Sequence, residues 1–193
     1  MITANPHKWV ENYGDYLFSI ALLKTSQRET AEDIVQETFM TAVKALPGFK
    51  GESNEKTWLT AILNNKVIDY YRKKDLLKNA DTYLQETEQS FNSSFFETEL
   101  SPVGHWTKSQ APQPWVEDAD KTITQSEFYR VFEFCVSKMP PKLVPVFLSK
   151  FIDEKNAEEI CKELNISSSN YWVIIHRSRL LMRKCLETNW FKN

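Results

Sequence analysis

The spacing of apolar residues predicts helices along the N-terminal part of the chain. Apolar side chains recur three or four positions apart, which is the period of a helix with one buried face. The pattern predicts helices over residues 8–24, 28–46 and 53–74. Ser26 followed by Glu29 predicts a capping box that starts the second of these helices. Together the three helices predict one small helical domain.

Each of these helices has an apolar face that predicts how it packs. In the first helix this face consists of Val10, Tyr13, Leu17, Ile20, Ala21 and Leu23 or Lys24. In the second it consists of Ala31, Ile34, Val35, Phe39, Ala42, Val43 and Leu46. The third helix is expected to bury Leu59, Ile62, Leu63 and Tyr70, and to turn outward Ala61, Asn65, Ile68 and Arg72. The polar residues Asp33, Gln36 and Glu37 lie off the core face of the second helix, where a solvated surface is the default interpretation.

The C-terminal part of the chain has the spacing of a helix-turn-helix unit. Helices are predicted over residues 124–139, 143–151 and 157–164, and a longer helix is predicted after the turn 165–167. Pro145 removes one backbone hydrogen bond, whereas Asn156 and Glu159 predict a capping box. The inward positions of the last helix are Tyr171, Ile174, Ile175, Ser178 and Met182. A helix, a three- or four-residue turn and a second helix are typical of DNA-binding proteins, but also occur in other four-helix units.

Between these parts, residues 76–122 carry no sustained apolar period and include Pro102, Pro112 and Pro114. We interpret them as a flexible linker, for which a disordered spacer is the default. Eight acidic residues within 81–120 stand against the single basic residue Lys108. The linker is also rich in aromatic residues, which indicates that parts of it dock on a partner or on the chain's own helices: Phe91, Phe95, Phe96, Trp106 and Trp115.

The composition narrows the class of protein. The chain has 193 residues, 41% of them hydrophobic, and four glycines, which favours one or two helical domains. No apolar run approaches the roughly 18–20 residues of a membrane span, and the N-terminus lacks a signal-peptide core, so we expect no membrane insertion and a cytoplasmic location. Cys135, Cys161 and Cys185 are widely spaced at core-like positions, which predicts reduced thiols. Nucleophile–base pairs, phosphate-binding glycine loops and metal clusters are missing, so we expect neither catalysis, nor a metal, nor a cofactor.

The distribution of charge along the chain is more informative about nucleic-acid binding than the net charge. A net charge of −2 alone argues against a nucleic-acid-binding protein. Residues 1–75, however, balance ten basic against ten acidic side chains, and residues 121–193 carry twelve basic against eight acidic. The acidic excess is therefore confined to the middle of the chain.

Several short motifs, in a fixed order, carry a resemblance to a known family. They are Asp33-Ile-Val-Gln-Glu-Thr-Phe39, Phe49-Lys-Gly51, Thr57-Trp-Leu59, an asparagine in the following helix and Arg72-Lys-Lys74. This order resembles region 2 of bacterial sigma factors of the sigma-70 family, in the small extracytoplasmic-function (ECF) subgroup. The C-terminal string from Met139-Pro-Pro-Lys-Leu143 to Leu186 resembles region 4 of the same family.

The resemblance implies roles for individual residues. The polymerase-binding residues are expected to be Asp33, Gln36, Glu37 and Phe39. The residues expected at the promoter −10 element are Phe49, Lys56, Ala61, Asn65, Arg72, Lys73 and Lys74. Asn65 is preferred over Asn64 because it lies on the outward stripe. From the residues alone, an ordinary helix–helix connection with Phe49 packed into the core is the default interpretation. Trp58 is expected to pack, and the basic residues could form a solvated helix end.

The second helix of the helix-turn-helix is implied to enter the major groove of the −35 element. Its outward residues are expected to be Trp172, Val173, His176, Arg177, Arg179 and Arg183. The family usually has polar or basic residues at the positions of Trp172 and Val173. Contact with thymine methyl groups, a weakened −35 contact and a partner-binding role are all open there.

We therefore expect an all-α protein with two small domains and a linker between them. The domains are a three-helix region 2-like domain over residues 1–75 and a four-helix region 4-like domain over 123–193, with the acidic linker at 76–122. The resemblance implies an alternative sigma factor. Its partners would be core RNA polymerase (the β′ clamp and β flap), promoter DNA and an anti-sigma factor, and the linker would thread the RNA-exit path. A free helix-turn-helix regulator and a helical protein-interaction module remain alternatives.

Overall fold

The protein is described by a computed structural model in which residues 5–74, 77–97, 105–112 and 125–190 are placed. Over these residues the chain is predominantly α-helical, which confirms the all-α prediction. The helices are α1 (Trp9–Thr25), α2 (Arg28–Ala45), α3 (Glu55–Lys73), α4 (Ala80–Glu86), α5 (Glu88–Phe95), α6 (Gln125–Lys138), α7 (Val144–Phe151), α8 (Ala157–Leu164) and α9 (Ser168–Asn189). Two short strands, β1 (Phe96–Glu97) and β2 (His105–Trp106), pair antiparallel. None of the helices in these ranges is long and apolar enough to cross a bilayer.

The chain divides into two compact units. The first contains Met1–Leu77 and Leu148–Asn165, and the second contains Lys78–Phe147 and Ile166–Asn193. Helix α8 therefore belongs to the first unit and α9 to the second. The predicted limits between residues 75 and 76 and between 122 and 123 fall outside the described residues, and the domain limits stay a prediction.

The core of the first unit is formed by α1, α2 and α3, and most of the predicted apolar positions lie in it. Fully buried residues there are Leu17, Ala21, Ala31, Ala42, Leu59 and Leu63. Three predicted positions are wrong. Trp9 is buried in place of the exposed Val10, and Val43 is exposed. Ile68 is buried beside Val67 rather than facing outward.

The shift at the start of α1 has a physical reason, because buried Trp9 donates from Nε1 to the Glu55 carboxylate at 2.8 Å. On α2 the buried face includes Thr38, whose hydroxyl donates to Ile34 O at 2.7 Å, and it ends at Ala42. A threonine that bonds within its own helix carries no unpaired polar group into the core. Phe39 is accordingly half-buried at the edge of that face.

The capping box predicted for α2 is not formed, whereas α3 has a capping residue that was not predicted. Ser26 adopts a left-handed conformation with φ of 54° and ends α1, so it does not cap α2 as the capping-box prediction required. Helix α2 instead follows Gln27, whose side chain makes no cap hydrogen bond. Helix α3 begins after Asn54, whose side chain accepts a hydrogen bond from the Thr57 N–H at 2.7 Å. This asparagine satisfies a backbone donor that the first turn of a helix leaves unpaired.

A buried lysine joins the two sequence segments of the first unit. Lys24 is 5% exposed, and its Nζ donates to both carboxylate oxygens of Asp153 and to Asn64 Oδ1, each at 2.7 Å. Burial lowers the pKa of Lys24 below its ordinary value, although the Asp153 carboxylate opposes that shift. The Tyr71 hydroxyl donates to the backbone oxygen of Lys24 at 2.8 Å. Helices α1 and α3 and the turn after α7 are thereby fixed to one another.

The second unit contains a disulfide between Cys135 of α6 and Cys185 of α9. The prediction of three reduced thiols is therefore wrong for this pair, whereas Cys161 is a free cysteine whose pKa is raised by burial. Their separation of 50 residues gives no sign of proximity, because the helices that carry them meet only in the folded unit. Phe128 of α6 also packs edge-on against Trp190, with the ring centroids 5.4 Å apart.

The described part of the predicted linker is folded, which corrects the expectation of a flexible segment without regular structure. Residues 80–97 form α4, α5 and β1, and β2 returns to pair Trp106 with Phe96. Phe95 is 1% exposed and its ring lies 5.0 Å from that of Phe91. The alternative that these aromatic residues dock on the chain itself is thus confirmed for the described ones. Pro102, Pro114, Trp115 and the predicted helix start Thr124 lie outside the described residues.

The local structure around the predicted helix-turn-helix follows the sequence closely. The capping box of Asn156 and Glu159 is present with both of its hydrogen bonds. Asn165 ends α8 in a left-handed conformation, and Ser167 caps α9 by accepting from the Asn170 N–H. Pro145 is the second residue of α7, where an N–H would have no helical partner, so it costs less than predicted.

Because the disulfide closes a long loop, we expect Cys135→Ser to lower the free energy of unfolding by about 2–4 kcal/mol in non-reducing buffer. Addition of a reductant should bring the original protein down to the same value. Urea unfolding measures both, and Cys161→Ser is the matched control because that thiol is unpaired with another cysteine. An original protein that is insensitive to reductant would contradict the disulfide.

Candidate nucleic-acid interface

The outer face of α2 carries the residues predicted to bind polymerase. Asp33, Gln36 and Glu37 are exposed there. Glu37 makes one surface contact, 3.4 Å from its Oε2 to Lys66 Nζ of α3. Met40 lies one turn beyond Gln36 and is 60% exposed. The sequence analysis missed Met40, although its position off the apolar stripe of α2 could have indicated it.

The connection between α2 and α3 contains the predicted base-binding loop. Phe49 is half-buried, and its ring lies 4.7 Å from that of Trp58, which in turn lies 5.8 Å from Trp9. Trp58 thus packs as predicted. Gly51 has φ of 70°, a conformation that side chains other than glycine adopt with strain. The loop therefore combines a tight backbone turn with an aromatic ring at the edge of a packed cluster.

Glu55, the first residue of α3, holds this loop against the N-terminal segment. One carboxylate oxygen accepts from Trp9 Nε1 at 2.8 Å and from the Asn5 N–H at 2.7 Å, and the other accepts from the Tyr13 hydroxyl at 3.2 Å. Burial alone would raise the pKa of Glu55, but these three hydrogen bonds outweigh it and lower that pKa. The negative charge at the start of α3 is therefore retained near neutral pH, where it also favours the helix dipole.

The outer face of α3 presents Ala61 and Asn65, both exposed as predicted. The neighbouring Asn64 is engaged by Lys24, which leaves Asn65 as the asparagine directed to solvent. Lys56 is exposed at the start of the same helix, with its ammonium group 3.6 Å from the centre of the Tyr16 ring. The structure thus brings Lys56, Ala61 and Asn65 to the surface of α3.

The basic end of α3 is exposed but partly engaged within the first unit. Arg72 Nε donates to the backbone oxygen of Glu163 at 2.9 Å, and its Nη1 lies 3.9 Å from Asp69 Oδ1. Lys74 Nζ donates to Gln27 Oε1 at 3.3 Å. Lys73 is exposed between them. Exposed contacts of this kind are worth little energetically, so these side chains can exchange them for others.

Helix α9 has one exposed face that matches the prediction. Trp172 is 61% exposed, and Val173, His176 and Arg179 are exposed with it. The inward positions Tyr171, Ile174, Ile175, Ser178 and Met182 are all buried as predicted. Two aromatic or aliphatic residues and two polar or basic residues therefore share the free side of this helix.

Arg177 and Arg183 were also predicted to face outward, and the structure contradicts this for Arg177. Arg177 is 5% exposed, because residues of the predicted linker cover it. Burial lowers its pKa, and attraction to Glu88 opposes that shift. Arg183 is half-buried and donates to the backbone oxygen of Gln110. The period of the helix could not reveal this, since the covering segment has no helical period of its own in the sequence.

Within residues 5–74, 77–97, 105–112 and 125–190, no group of three or more His, Cys, Asp or Glu residues could hold a metal ion.

The two adjacent asparagines of α3 allow a direct comparison. We expect Asn64→Ala to cost about 1–3 kcal/mol of stability, because the buried Lys24 ammonium group loses an acceptor. We expect Asn65→Ala to change stability by less than about 0.5 kcal/mol, because its side chain is exposed. Urea unfolding of both variants measures the difference. Equal costs would contradict the division of roles between the two residues.

The chain is similar to several known proteins. The family described as Sigma-70 region 2 matches residues 9–77. The sigma factor RpoE of Bartonella quintana, solved with the anti-sigma factor NepR, covers 95% of this chain with 97% of its own, at a TM-score of 0.47 and 17% identity.

Two curated relatives match over most of their length. A probable RNA polymerase sigma factor of Haemophilus influenzae is 36% identical over 173 residues, which cover 88% of this chain and 84% of the relative. The ECF RNA polymerase sigma factor SigW of Bacillus subtilis is 30% identical over 177 residues, which cover 92% and 86%. The resemblance noted in the sequence is thereby confirmed: the chain belongs to the sigma-70 family of RNA polymerase sigma factors, in its extracytoplasmic-function subgroup.

Proposed function

We propose that this alternative sigma factor binds core RNA polymerase through α2, captures a −10 base beside α3 and contacts the −35 element through the exposed face of α9. The observation that supports the proposal is the exposure of the outer face of α2. That helix is packed against α1 and α3, yet Asp33, Gln36 and Glu37 all remain exposed. Three polar residues that the core does not require are available for a partner.

The partner of this face is the coiled-coil clamp of the polymerase β′ subunit. Asp33 and Glu37 offer carboxylates to basic residues, and Gln36 offers both a donor and an acceptor. Met40 and the half-buried Phe39 add apolar surface next to these polar groups. An apolar centre with a polar rim is the usual composition of a protein–protein interface.

Base capture at the −10 element takes place beside the loop that ends at α3. Extruding a base from the duplex costs a few kcal/mol, which stacking and hydrogen bonding must offset. Phe49 is suited to stack on the extruded base, because its ring lies at the edge of a cluster with Trp58. Asn65 is suited to hydrogen-bond that base, because its amide is exposed on the outer face of α3. Lys56 and Ala61 are exposed on the same helix as Asn65, and Lys73 and Lys74 are exposed at its end for contacts with phosphates.

The exposed face of α9 meets the −35 element. His176 and Arg179 can donate to base edges or phosphates, and Trp172 and Val173 can contact thymine methyl groups. The same two apolar residues also suit a protein partner, and we propose an anti-sigma factor as that partner in the absence of polymerase. Arg177 is not included in this contact, because it is buried.

The chain supplies contacts rather than catalysis. Polymerase carries out the chemistry of transcription, and the sigma factor positions and helps to open the promoter. Since polymerase acts in the cytoplasm, we place this protein there as well.

The α2 contact is tested by a double change of Gln36 and Glu37 to Ala. We expect weaker binding to core polymerase with a thermal midpoint changed little, because both residues are exposed and the Glu37–Lys66 ion pair is a surface contact. A pull-down with core polymerase measures the first, and thermal unfolding the second. Glu29→Ala on the same helix is the control. Unchanged affinity for core would refute the assignment.

The base-capture role is tested by Asn65→Ala on two promoter templates. On a closed promoter we expect lower abortive transcription, whereas on a template pre-melted across −10 much of the defect should disappear. The reason is that the variant loses part of the energy that offsets base extrusion, and the pre-melted template does not incur that cost.

Arg179→Ala serves as the contrasting variant. It should weaken binding to both templates alike, by about 1–3 kcal/mol if Arg179 makes a bidentate base contact in intact duplex. If Asn65→Ala is equally defective on the two templates, Asn65 acts as a backbone or packing contact and not in base capture.

A further inference from the structure

Two arginine side chains of α9 are covered by residues of the second unit that precede α6 in sequence: Arg177 is buried and Arg183 is half-buried. Arg177 Nη1 donates to Thr87 Oγ1 at 2.8 Å, and its Nη2 donates to Leu84 O at 2.7 Å. Arg183 Nη2 donates to Gln110 O at 2.6 Å. Both guanidinium groups are thus held by oxygen acceptors from α4, the residue after it and the turn after β2.

The same cations also lie over aromatic rings of this segment. Arg177 lies 5.0 Å from the centre of the Phe91 ring, and Arg183 lies 4.2 Å from that of Trp106. Lys184 lies 5.4 Å from the centre of the Phe95 ring. Cation–π contacts of this kind are attractive, and more so where the cation is desolvated, as Arg177 is.

The charge of the covering segment complements that of α9. Residues 81–97 contain four acidic side chains and no basic one: Asp81, Glu86, Glu88 and Glu97. Helix α9 contributes Arg177, Arg179, Arg183 and Lys184 against the single acidic residue Glu187. An acidic, aromatic segment with free backbone oxygens offers a guanidinium group the same two features that DNA offers, namely oxygen acceptors and flat rings.

We propose that the segment formed by α4, α5, β1 and β2 is an internal cover for two arginines of α9, which competes with the phosphates of duplex DNA for Arg177 and Arg183. This inference rests on the proposed contact between α9 and DNA. In the covered form, α9 meets DNA without these two guanidinium groups. Displacement of the cover adds two cations to the contact.

A permanent structural role for the segment is the competing explanation, and it makes the opposite prediction. If the segment only supports α9, loosening it disorders the recognition helix and weakens DNA binding. If it competes with DNA, loosening it strengthens binding and makes that binding more sensitive to salt.

The test uses the full chain carrying Phe91→Leu together with Trp106→Leu. Leucine keeps an apolar side chain at each position but removes the ring over the cation. The probe is a fluorescent mixed-sequence DNA duplex of about 30 base pairs, titrated from about 50 to about 200 mM salt, because phosphate contacts do not depend on sequence. Binding is followed by anisotropy.

We expect the double variant to bind on the order of tenfold more tightly at the lowest salt. The slope of log K against log salt should become more negative by about 1.8, since each of the two added phosphate contacts contributes about −0.9. Phe128→Leu is the matched control, because this aromatic residue packs on Trp190 in the same unit, and it should leave affinity and slope unchanged. An unchanged slope or weaker binding in the double variant would overturn the proposal.

A second measurement uses the unsubstituted protein and does not depend on the folding of a variant. If DNA and the cover exclude each other, saturating duplex should speed amide hydrogen exchange within residues 80–95. Unchanged or slower exchange there would contradict competition.

The failure of this inference can be told apart from a failure of the proposed function. If the cover variant behaves like the original protein while Arg179→Ala still weakens promoter binding by holoenzyme, the internal cover alone is wrong. If neither substitution has an effect, α9 is not the DNA-binding helix.

Discussion

The ammonium group of Lys24 is enclosed by α1, α3 and the turn after α7, and the candidate site of the first unit depends on how its hydrogen bonds are satisfied. A buried cation is tolerated only when its donors are paired. Asp153 and Asn64 provide the acceptors, and Tyr71 ties the backbone at the same residue. These contacts fix the rotation of α3 about its axis. Asn64 is therefore turned inward, and Asn65 is presented to solvent one residue later.

The same rotation explains why sequence reasoning succeeded on the outer face of α3 and failed on part of its inner face. Ala61 and Asn65 were correctly placed outward, because small or polar residues at that spacing rarely enter a core. Ile68 follows the same spacing, yet it is buried, since the inner face widens toward Tyr71 at the end of the helix. Periodicity locates the centre of a buried face, but its width is determined by the neighbouring helices. The exchange of Val10 for Trp9 has a similar cause, because Trp9 gains a hydrogen bond to Glu55 when it is buried.

Contacts between segments that are far apart in sequence could not be predicted from the sequence. The disulfide joins cysteines on two helices that periodicity treats separately. Residues 80–97 are held in place by contacts with arginines that are far away in sequence. The hydrogen bond between Arg177 and Thr87, for example, joins residues 90 positions apart. The aromatic content of the segment indicated docking, but it could not identify α9 as the surface. The apolar period and the family motifs, by contrast, are local features, and they were enough to predict the helices outside residues 76–122 and the exposure of Asp33, Gln36 and Glu37, although not the burial of Arg177.

Helix α9 shows both what the sequence predicted and what it did not, because its exposed residues and its covered residues differ in charge. The exposed side from Trp172 to Arg179 carries few charges, so on its own it offers DNA little of the electrostatic attraction that dominates affinity. The cover holds Arg177 and Arg183, two residues that would add to that attraction. If the cover competes with DNA for these two cations as proposed, its displacement changes the strength of DNA binding, whereas the bases within reach of the exposed residues stay the same.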